Sequence, residues 1–262
     1  MIDTGAAVKK LRKLKPKGVM GEDRKIFGEV YESLLAFYGP QGWWPVTPPG
    51  GCAPVYSGGP VNDLQRLEVI VGALLAQNTS WTGARKALEN LSSQKRLDFR
   101  SLLEIPEGEL GLLIRPSGYF NQKARRIKNL VSFLYDRYGA HWERFFAEPL
   151  PAMRRLLLEL NGIGPETADS IILYAAGRAS FVIDSYTKRL FYRLGAAGSN
   201  VAYEELKQRF EKALAAQSAL YKEYHALVVV HCKERCSSRV PKCEGCSLEQ
   251  LCVRRGVSPP PC

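Results

Sequence analysis

The chain contains 262 residues, of which 45% are hydrophobic, enough to bury the core of one large or two small domains. Its formal net charge of +11 favours an anionic partner, and since no apolar run is long enough to span a bilayer, nucleic acid is favoured over a membrane. The sequence has no secretory leader, so a cytoplasmic protein is expected.

The N-terminal stretch carries a group of basic residues. Six lysines and arginines lie between Lys9 and Lys17 with no acidic residue among them, and Pro16 and Gly18 disfavour a stable helix. Residues 1–21 are therefore interpreted as a solvated basic arm. An arm that contacts DNA and a targeting sequence are the two alternatives.

The remaining chain has helical patterns almost throughout. Residues 22–38 predict an amphipathic helix, whereas the Pro- and Gly-rich residues 45–61 have neither period nor helix propensity and predict a loop or an insertion. Further helices are predicted over residues 63–76, 80–91, 106–113, 122–138, 153–160, 165–176, 185–194, 202–215 and 218–230. No alternating pattern of useful length predicts a strand, so the predicted fold class is all-α.

The predicted helices divide into two domains. A turn is expected near residues 177–179, after which the chain leads to a cysteine-rich segment. We therefore predict a six-helix domain over residues 62–178 and a discontinuous helical domain formed by residues 22–61 and 179–262.

The segment LNGIGPETA, residues 160–168, predicts two helices joined by a tight hairpin. Gly162 suits the left-handed end of the first helix, and Pro165 suits the first position of the second. Because Gly162 and Gly164 have no side chains, the backbone N–H groups around Ile163 could approach a phosphate closely. A plain turn between two helices would use the same residues, and this alternative stays open.

Asp184 follows three apolar residues and precedes Ser185, Tyr186 and Thr187, an arrangement typical of a helix N-cap. Its position after the hairpin and before the clustered cysteines adds a second interpretation, in which the carboxylate has a chemical role. Both interpretations stay open at this point.

Five of the seven cysteines fall within 21 residues, and four of them are spaced C-x6-C-x2-C-x5-C. An odd total in a chain without a leader argues against a disulfide framework and for a metal or cluster site. Structural zinc is the alternative to a cluster, although zinc sites usually present two C-x2-C pairs and this segment has one. The four cysteines are Cys236, Cys243, Cys246 and Cys252, while Cys52 and Cys262 lie in Pro- and Gly-rich segments.

These motifs, in this order, resemble the helix-hairpin-helix DNA glycosylase superfamily. The hairpin followed by Val182-Ile183-Asp184 is similar to the superfamily motif, which ends in an aspartate, and the cysteine spacing resembles the [4Fe-4S] loop of the endonuclease III branch. LLAQNTSW, residues 74–81, and SGYFNQKARRI, residues 117–127, resemble the two segments with which that branch probes DNA. The resemblance covers residues 63–252.

The resemblance implies a monomeric enzyme that flips a damaged base out of duplex DNA and cleaves its N-glycosidic bond. It implies that Gln77 and Tyr119 enter the gap left by that base, although packing is an equal alternative for Tyr119. It also implies that Asp184 stabilises charge on the sugar and orients or deprotonates the attacking water. The implied cofactor is a [4Fe-4S] cluster on the four spaced cysteines; the family spacing excludes Cys232, which is interpreted as a packed thiol.

One position departs from the family pattern. Members that also cut the strand carry a lysine two residues after the second hairpin glycine, where this chain has Glu166, which cannot form an imine. A monofunctional glycosylase is therefore predicted. Glu166 also suits the first turn of a helix. Lys188 is the nearby lysine that could substitute, although a solvated ion pair with Asp184, four residues earlier, is favoured.

A narrower resemblance concerns the base that is removed. YGPQGWWP, residues 38–45, together with ETADSIILYA and DSYTKRL, resembles the 3-methyladenine DNA glycosylase III subgroup. Trp43 and Trp44 could stack on a base, and an alkylated purine carries a positive charge that an indole ring attracts. Packing in the core or between domains is the alternative for both tryptophans.

Three other functions stay open. They are an endonuclease III-like glycosylase and lyase with a relocated lysine, a glycosylase for oxidised or deaminated bases, and a non-catalytic module that binds damaged DNA. A module that only binds DNA does not need a carboxylate beside the sugar, so the presence of Asp184 favours an enzyme over such a module.

Overall fold

Residues 21–257 are described by a computed structural model, so the basic residues 9–17 and Cys262 lie outside the described residues. Within this range the chain forms eleven α-helices and no strand, which confirms the all-α prediction. None of these helices is both long and apolar enough to cross a membrane. They are α1 (Glu22–Tyr38), α2 (Asp63–Leu75), α3 (Trp81–Ser93), α4 (Phe99–Glu104), α5 (Glu107–Leu113), α6 (Phe120–Tyr138), α7 (Leu150–Leu158), α8 (Pro165–Ser170), α9 (Ser185–Arg193), α10 (Tyr203–Ala213) and α11 (Ser218–Glu234).

Shorter helical turns complete the secondary structure of residues 21–257: 3₁₀ helices at Arg115–Ser117, Trp142–Ala147 and Glu249–Leu251, and a π-helical turn at Ile171–Ala175. The π turn continues α8, and the N–H of Ala176 donates to the oxygen of Ile171, five residues earlier, at 3.1 Å. The sequence predicted one α-helix over residues 165–176. The wider turn is found where every residue from Ile171 to Ala175 is buried, so packing decides its geometry.

Most predicted helices are found within a few residues of their predicted ends. α4 and the 3₁₀ helix Trp142–Ala147 were missed, because six residues are too few to show an apolar period. α4 does carry a start signal, since the carboxylate of Asp98 accepts a hydrogen bond from the N–H of Ser101 at 2.9 Å.

The described residues divide into two compact units. The first, called here the cysteine unit, contains residues 21–41 and 179–257 and packs α1 against α10 and α11, and α9 against α11. Its core is aromatic: the ring of Phe210 stacks on Phe27 at 4.4 Å and on Phe181 at 4.1 Å between centroids. Rings of this size bury large apolar areas, so this stacking holds α1 and α10 together.

The second unit, residues 42–178, is called the hairpin unit. α2 is its central helix and packs against α3, α6 and the π turn. The C-terminal end of α4 is capped by Lys128 of α6. Its ammonium donates to the oxygens of Leu102, Leu103 and Ile105 at 3.1, 2.6 and 2.8 Å. A cation at the C-terminal carbonyls of a helix satisfies acceptors that have no partner within the helix.

Residues 45–61, predicted to be a loop or an insertion, contain no helix and belong to the hairpin unit. The N–H and hydroxyl of Thr47 donate to the buried carboxylate of Glu68 at 2.8 and 2.6 Å. The side-chain amide of Gln65 donates to the oxygen of Thr47 at 2.9 Å. Hydrogen bonds to two residues of α2 therefore hold this loop in the hairpin unit, although the loop follows α1 in the sequence.

Candidate functional site

The predicted hairpin lies between α7 and α8. Gly162 has a φ of +89°, which glycine adopts without strain, and a Cβ there would overlap the side chain of Arg126. Ile163 is buried, and its N–H donates to the oxygen of Leu160 at 3.0 Å. A Cβ at Gly164 would meet no atom within 4 Å. The two glycines therefore serve different purposes: close packing at the first, and an open approach to the backbone at the second.

Gln77, predicted to enter the DNA stack, is bound to the hairpin. Its Nε2 donates to the oxygen of Gly162 at 3.0 Å and to Oγ1 of Thr167 at 2.9 Å, and its Oε1 accepts from Nη1 of Arg126. The amide ties residues 74–81 to the hairpin. Entry of Gln77 into DNA would break three hydrogen bonds, each worth about 0.5–1.5 kcal/mol.

Tyr119 lies at the start of α6 with 67% of its surface exposed. Its φ of +47° is uncommon for an aromatic residue. An exposed ring on a strained backbone is typical of a binding position, so its geometry favours an external contact over packing.

Buried Lys123 holds both probing segments. Its Nζ donates to the oxygen of Leu75 at 2.8 Å, at the end of α2, and to the oxygen of Ser117 at 2.6 Å, two residues before Tyr119. Burial, followed by the charge of Arg126, lowers the pKa of Lys123 to about 8. One amine thus links the two segments that the sequence predicts to touch DNA.

Replacing Lys123 with methionine is expected to destabilise the protein by about 1–3 kcal/mol, because two buried carbonyls lose their shared donor while the unbranched apolar part of the side chain is largely kept. Urea unfolding measures this loss. Lys86→Met, at an exposed position of α3, is the control and should change stability little. Equal unfolding midpoints for the two variants would contradict the linking role of Lys123.

Glu166 occupies the first turn of α8, and its side chain is exposed. Its backbone oxygen accepts a hydrogen bond from the hydroxyl of Ser170 at 2.7 Å. The helix dipole favours an acidic residue at this place. A carboxylate has no lone-pair nitrogen and cannot form an imine with a sugar, so this position offers no amine for strand cleavage.

Trp44 lies in the core of the hairpin unit, where 6% of its surface is exposed. Its ring centroid is 5.6 Å from that of Trp81 and 5.2 Å from that of Tyr174. Trp43 is half-buried, with its ring 6.3 Å from that of Tyr56. The packing alternative therefore describes Trp44, and Trp43 is the partly exposed member of the pair.

Asp184, the predicted carboxylate, precedes α9 in the cysteine unit. Its Oδ1 accepts hydrogen bonds from the N–H of Thr187 at 2.7 Å and from the hydroxyl of Thr187 at 2.8 Å, so the N-cap interpretation is correct. Its Oδ2 lies 3.4 Å from Nε2 of His225 on α11. Among residues 21–257 no ion pair joins Asp184 to Lys188, and the predicted pair is replaced by the contact with His225.

Asp184 is buried, with 8% of the surface of the whole residue exposed. Burial raises its pKa, but the nearby imidazole of His225, with the two bonds from Thr187, outweighs burial and brings the pKa below its ordinary value. An ionised carboxylate held with little water around it acts strongly on a nearby positive charge.

The four spaced cysteines line one pocket of the cysteine unit, with a volume of about 390 Å³ counted out to the solvent at its mouth. No three His, Cys, Asp or Glu side chains in residues 21–257 are arranged to hold a single metal ion. The four cysteines are Cys236, Cys243, Cys246 and Cys252.

Two arginines of α9 hold the loop that carries these cysteines. Nη1 of Arg193 donates to the sulfur of Cys236 at 3.2 Å and to the oxygen of Ser237 at 2.7 Å, and Nε of Arg189 donates to the oxygen of Cys236 at 3.0 Å. A hydrogen bond from Cys232, together with Arg193, lowers the pKa of Cys236 to about 6 against the effect of burial. Cys232 is 1% exposed, the packed thiol that the sequence predicted.

Sequence reasoning missed four side chains at these sites: Arg189, Arg193, His225 and His231. The arginines had a usable signal, since their i, i+4 spacing places both on one face of the helix that starts at Asp184. His231 lines the cysteine pocket, 3.7 Å from the sulfur of Cys246. Neither histidine lies in a pattern that indicates its partner.

An all-helical chain with this hairpin, a capping aspartate and a cysteine-lined pocket belongs to the class of helix-hairpin-helix DNA repair enzymes. Residues 71–216, more than half of the chain, match the HhH-GPD superfamily base excision DNA repair proteins. The chain belongs to this superfamily and is an endonuclease III-like DNA repair glycosylase.

Similar proteins agree with this assignment. A Methanocaldococcus jannaschii protein named "putative DNA repair glycosylase" is 41% identical over 228 residues, which cover 87% of this chain and 96% of that protein. The crystal structure of the H. pylori 3-methyladenine DNA glycosylase bound to 1,N6-ethenoadenine has 27% identity and a TM-score of 0.65, covering 82% of this chain and 98% of that one. A non-covalent endonuclease III–DNA complex, at 20% identity and a TM-score of 0.69, covers 90% and 97% and shares the fold.

Proposed function

We propose that this glycosylase removes an alkylated purine such as 3-methyladenine from duplex DNA and does not cut the strand. The observation that carries the absence of strand cleavage is Glu166, an exposed carboxylate where the family pattern has the attacking lysine. The name of the H. pylori relative, a 3-methyladenine DNA glycosylase, supports the choice of base.

The reaction breaks the bond between a base nitrogen and C1′ of the deoxyribose. The bonding electrons leave with the base, the oxygen of a water adds to C1′, and that water loses a proton. We infer that the ionised carboxylate of Asp184 stabilises the positive charge on the sugar and directs the water. An alkylated purine is cationic while it is attached to the sugar and leaves as a neutral molecule. Cleavage of its N-glycosidic bond therefore does not need a lysine nucleophile.

For DNA binding, we infer that the backbone at Gly164 and the start of α8 receives a phosphate. The open surroundings of that glycine support this contact. Tyr119 is the side chain that fills the gap left by the flipped nucleotide, because its ring is exposed. Gln77 supports the hairpin in this proposal, since its amide is committed to Gly162, Thr167 and Arg126.

Trp43 is the side chain that we assign to the base pocket. A cationic purine on an indole face gains about 0.5–2 kcal/mol over a neutral ring. Trp44 contributes indirectly, because its contacts with Trp81 and Tyr174 fix the segment that carries Trp43.

The four pocket cysteines would hold a [4Fe-4S] cluster. Four thiolates are a sufficient ligand set, and a cluster bound to them would close residues 236–252 into one loop. Arg189 and Arg193 keep the backbone of that loop against α9 through Cys236 and Ser237.

A panel of duplexes, each with one damaged base, tests the substrate and the chemistry together. Base release is expected from the 3-methyladenine duplex, and strands should break only after alkali because the product is an intact abasic site. Borohydride should trap no covalent complex. Release of only oxidised or deaminated bases would overturn the substrate, whereas efficient trapping would overturn the single-step chemistry, with Lys188→Met then identifying the amine.

A further inference from the structure

Asp184 and His225 form a buried pair within the cysteine unit. The two oxygens of the carboxylate have separate partners: Oδ1 receives both donors of Thr187, and Oδ2 faces Nε2 of His225 at 3.4 Å. The side chains of Asp184 and His225 are 10% and 7% exposed. Water therefore contributes little to the surroundings of Oδ2.

Capping of α9 does not explain the histidine. An N-cap needs a single acceptor oxygen, which a serine or threonine hydroxyl supplies equally well, and Oδ1 fills that role here. Oδ2 is met instead by an imidazole from a different helix, α11. A carboxylate with only Oδ1 bonded could still tilt its second oxygen, and a donor from α11 removes that freedom.

We propose that His225 is a positioning residue for Asp184: its imidazole donates the Nε2–H to Oδ2 and holds the carboxylate ionised and in one orientation toward the sugar. This inference rests on the proposed function, since it requires Asp184 to act on the sugar. Hydrogen bonds at catalytic groups are often long without substrate and shorten when it binds, so 3.4 Å is compatible with a donor.

The electrostatics of the pair agree with this role. Burial raises the pKa of Asp184, and His225 contributes most to the opposing effect. Without the histidine the buried carboxylate would take up a proton more readily and lose the charge that stabilises the sugar.

Two variants that differ by one methylene test the proposal. His225→Gln places an amide N–H near the position of Nε2, whereas the amide of His225→Asn is too short to reach Oδ2. We expect asparagine to lower the single-turnover rate of base release by at least about 10²-fold, and glutamine to restore it to within about tenfold of the wild-type rate. Affinity for a duplex with a tetrahydrofuran abasic analogue should change by less than about threefold in both variants.

Both variants replace the imidazole ring by an amide, so any loss of stability should lower the thermal midpoints of both. Measuring the two midpoints in parallel therefore separates an effect on positioning from an effect on stability. Wild-type rates in both variants would overturn the proposal, and so would equal losses in both, because the effect would then not depend on the reach of the donor. Asp184→Asn is assayed on the same substrate. If it keeps the wild-type rate, the proposed role of Asp184 itself fails; if it loses the rate while His225→Asn does not, only the inference about His225 fails.

Discussion

Replacing Asp184 with asparagine is expected to reduce base release by at least about 10³-fold while leaving the affinity for duplex DNA and the thermal midpoint nearly unchanged. Asparagine ranks with aspartate as an N-cap, so its oxygen can keep the bonds from Thr187. The imidazole of His225, in the tautomer with an unprotonated Nε2, can accept a hydrogen bond from the new amide. The substitution therefore removes the charge and little else. Single-turnover base release and a binding titration on the same lesion duplex measure the two effects.

Asp98→Asn is the matched control, because Asp98 caps α4 through Ser101 in the same way. It should leave base release unchanged. Asp184→Ala removes the cap as well and should cost about 1 kcal/mol of stability in addition. A full rate in Asp184→Asn, or a rate lost only in proportion to unfolding, would mean that Asp184 is a cap and nothing more.

Cys243→Ser is expected to cause the largest loss of bound iron. The purified wild-type protein should be brown and carry about four iron atoms per chain, and the variant should be colourless with little iron, because three thiolates and a hydroxyl hold a cubane poorly. Iron analysis and the visible absorbance measure this. The loop of residues 236–252 should also become more sensitive to protease, since it has one 3₁₀ turn, Glu249–Leu251, as regular structure.

The controls are Cys232→Ser and Cys52→Ser. Cys232 is buried beside the pocket without lining it, and Cys52 is exposed in the hairpin unit. Both variants should keep their colour and iron. Stoichiometric zinc without iron in wild-type protein prepared under anaerobic conditions would contradict the cluster, as would full iron in the Cys243 variant.

The sequence by itself determined the features that depend on near neighbours. The helix Glu22–Tyr38 has the predicted bounds, since an apolar period and a following glycine are local signals. The hairpin glycines, the cap at Asp184 and the spacing of the cysteines are likewise set within a few residues of chain. The resemblance to the family assigned functions to these motifs and identified Glu166 as a departure from the family pattern.

Only the tertiary structure decided which side chains meet. Gln77 bonds to Gly162 and Thr167, 85 and 90 residues away, two partners that the sequence did not indicate. Trp44 is buried in the core beside Trp81, although nothing in the neighbouring sequence distinguishes it from Trp43. The contact between His225 and Asp184 depends on how α11 packs against α9. Periodicity indicates which face of a helix is buried, whereas the partner of a polar group is chosen by packing among distant elements, where each buried donor and acceptor must be satisfied.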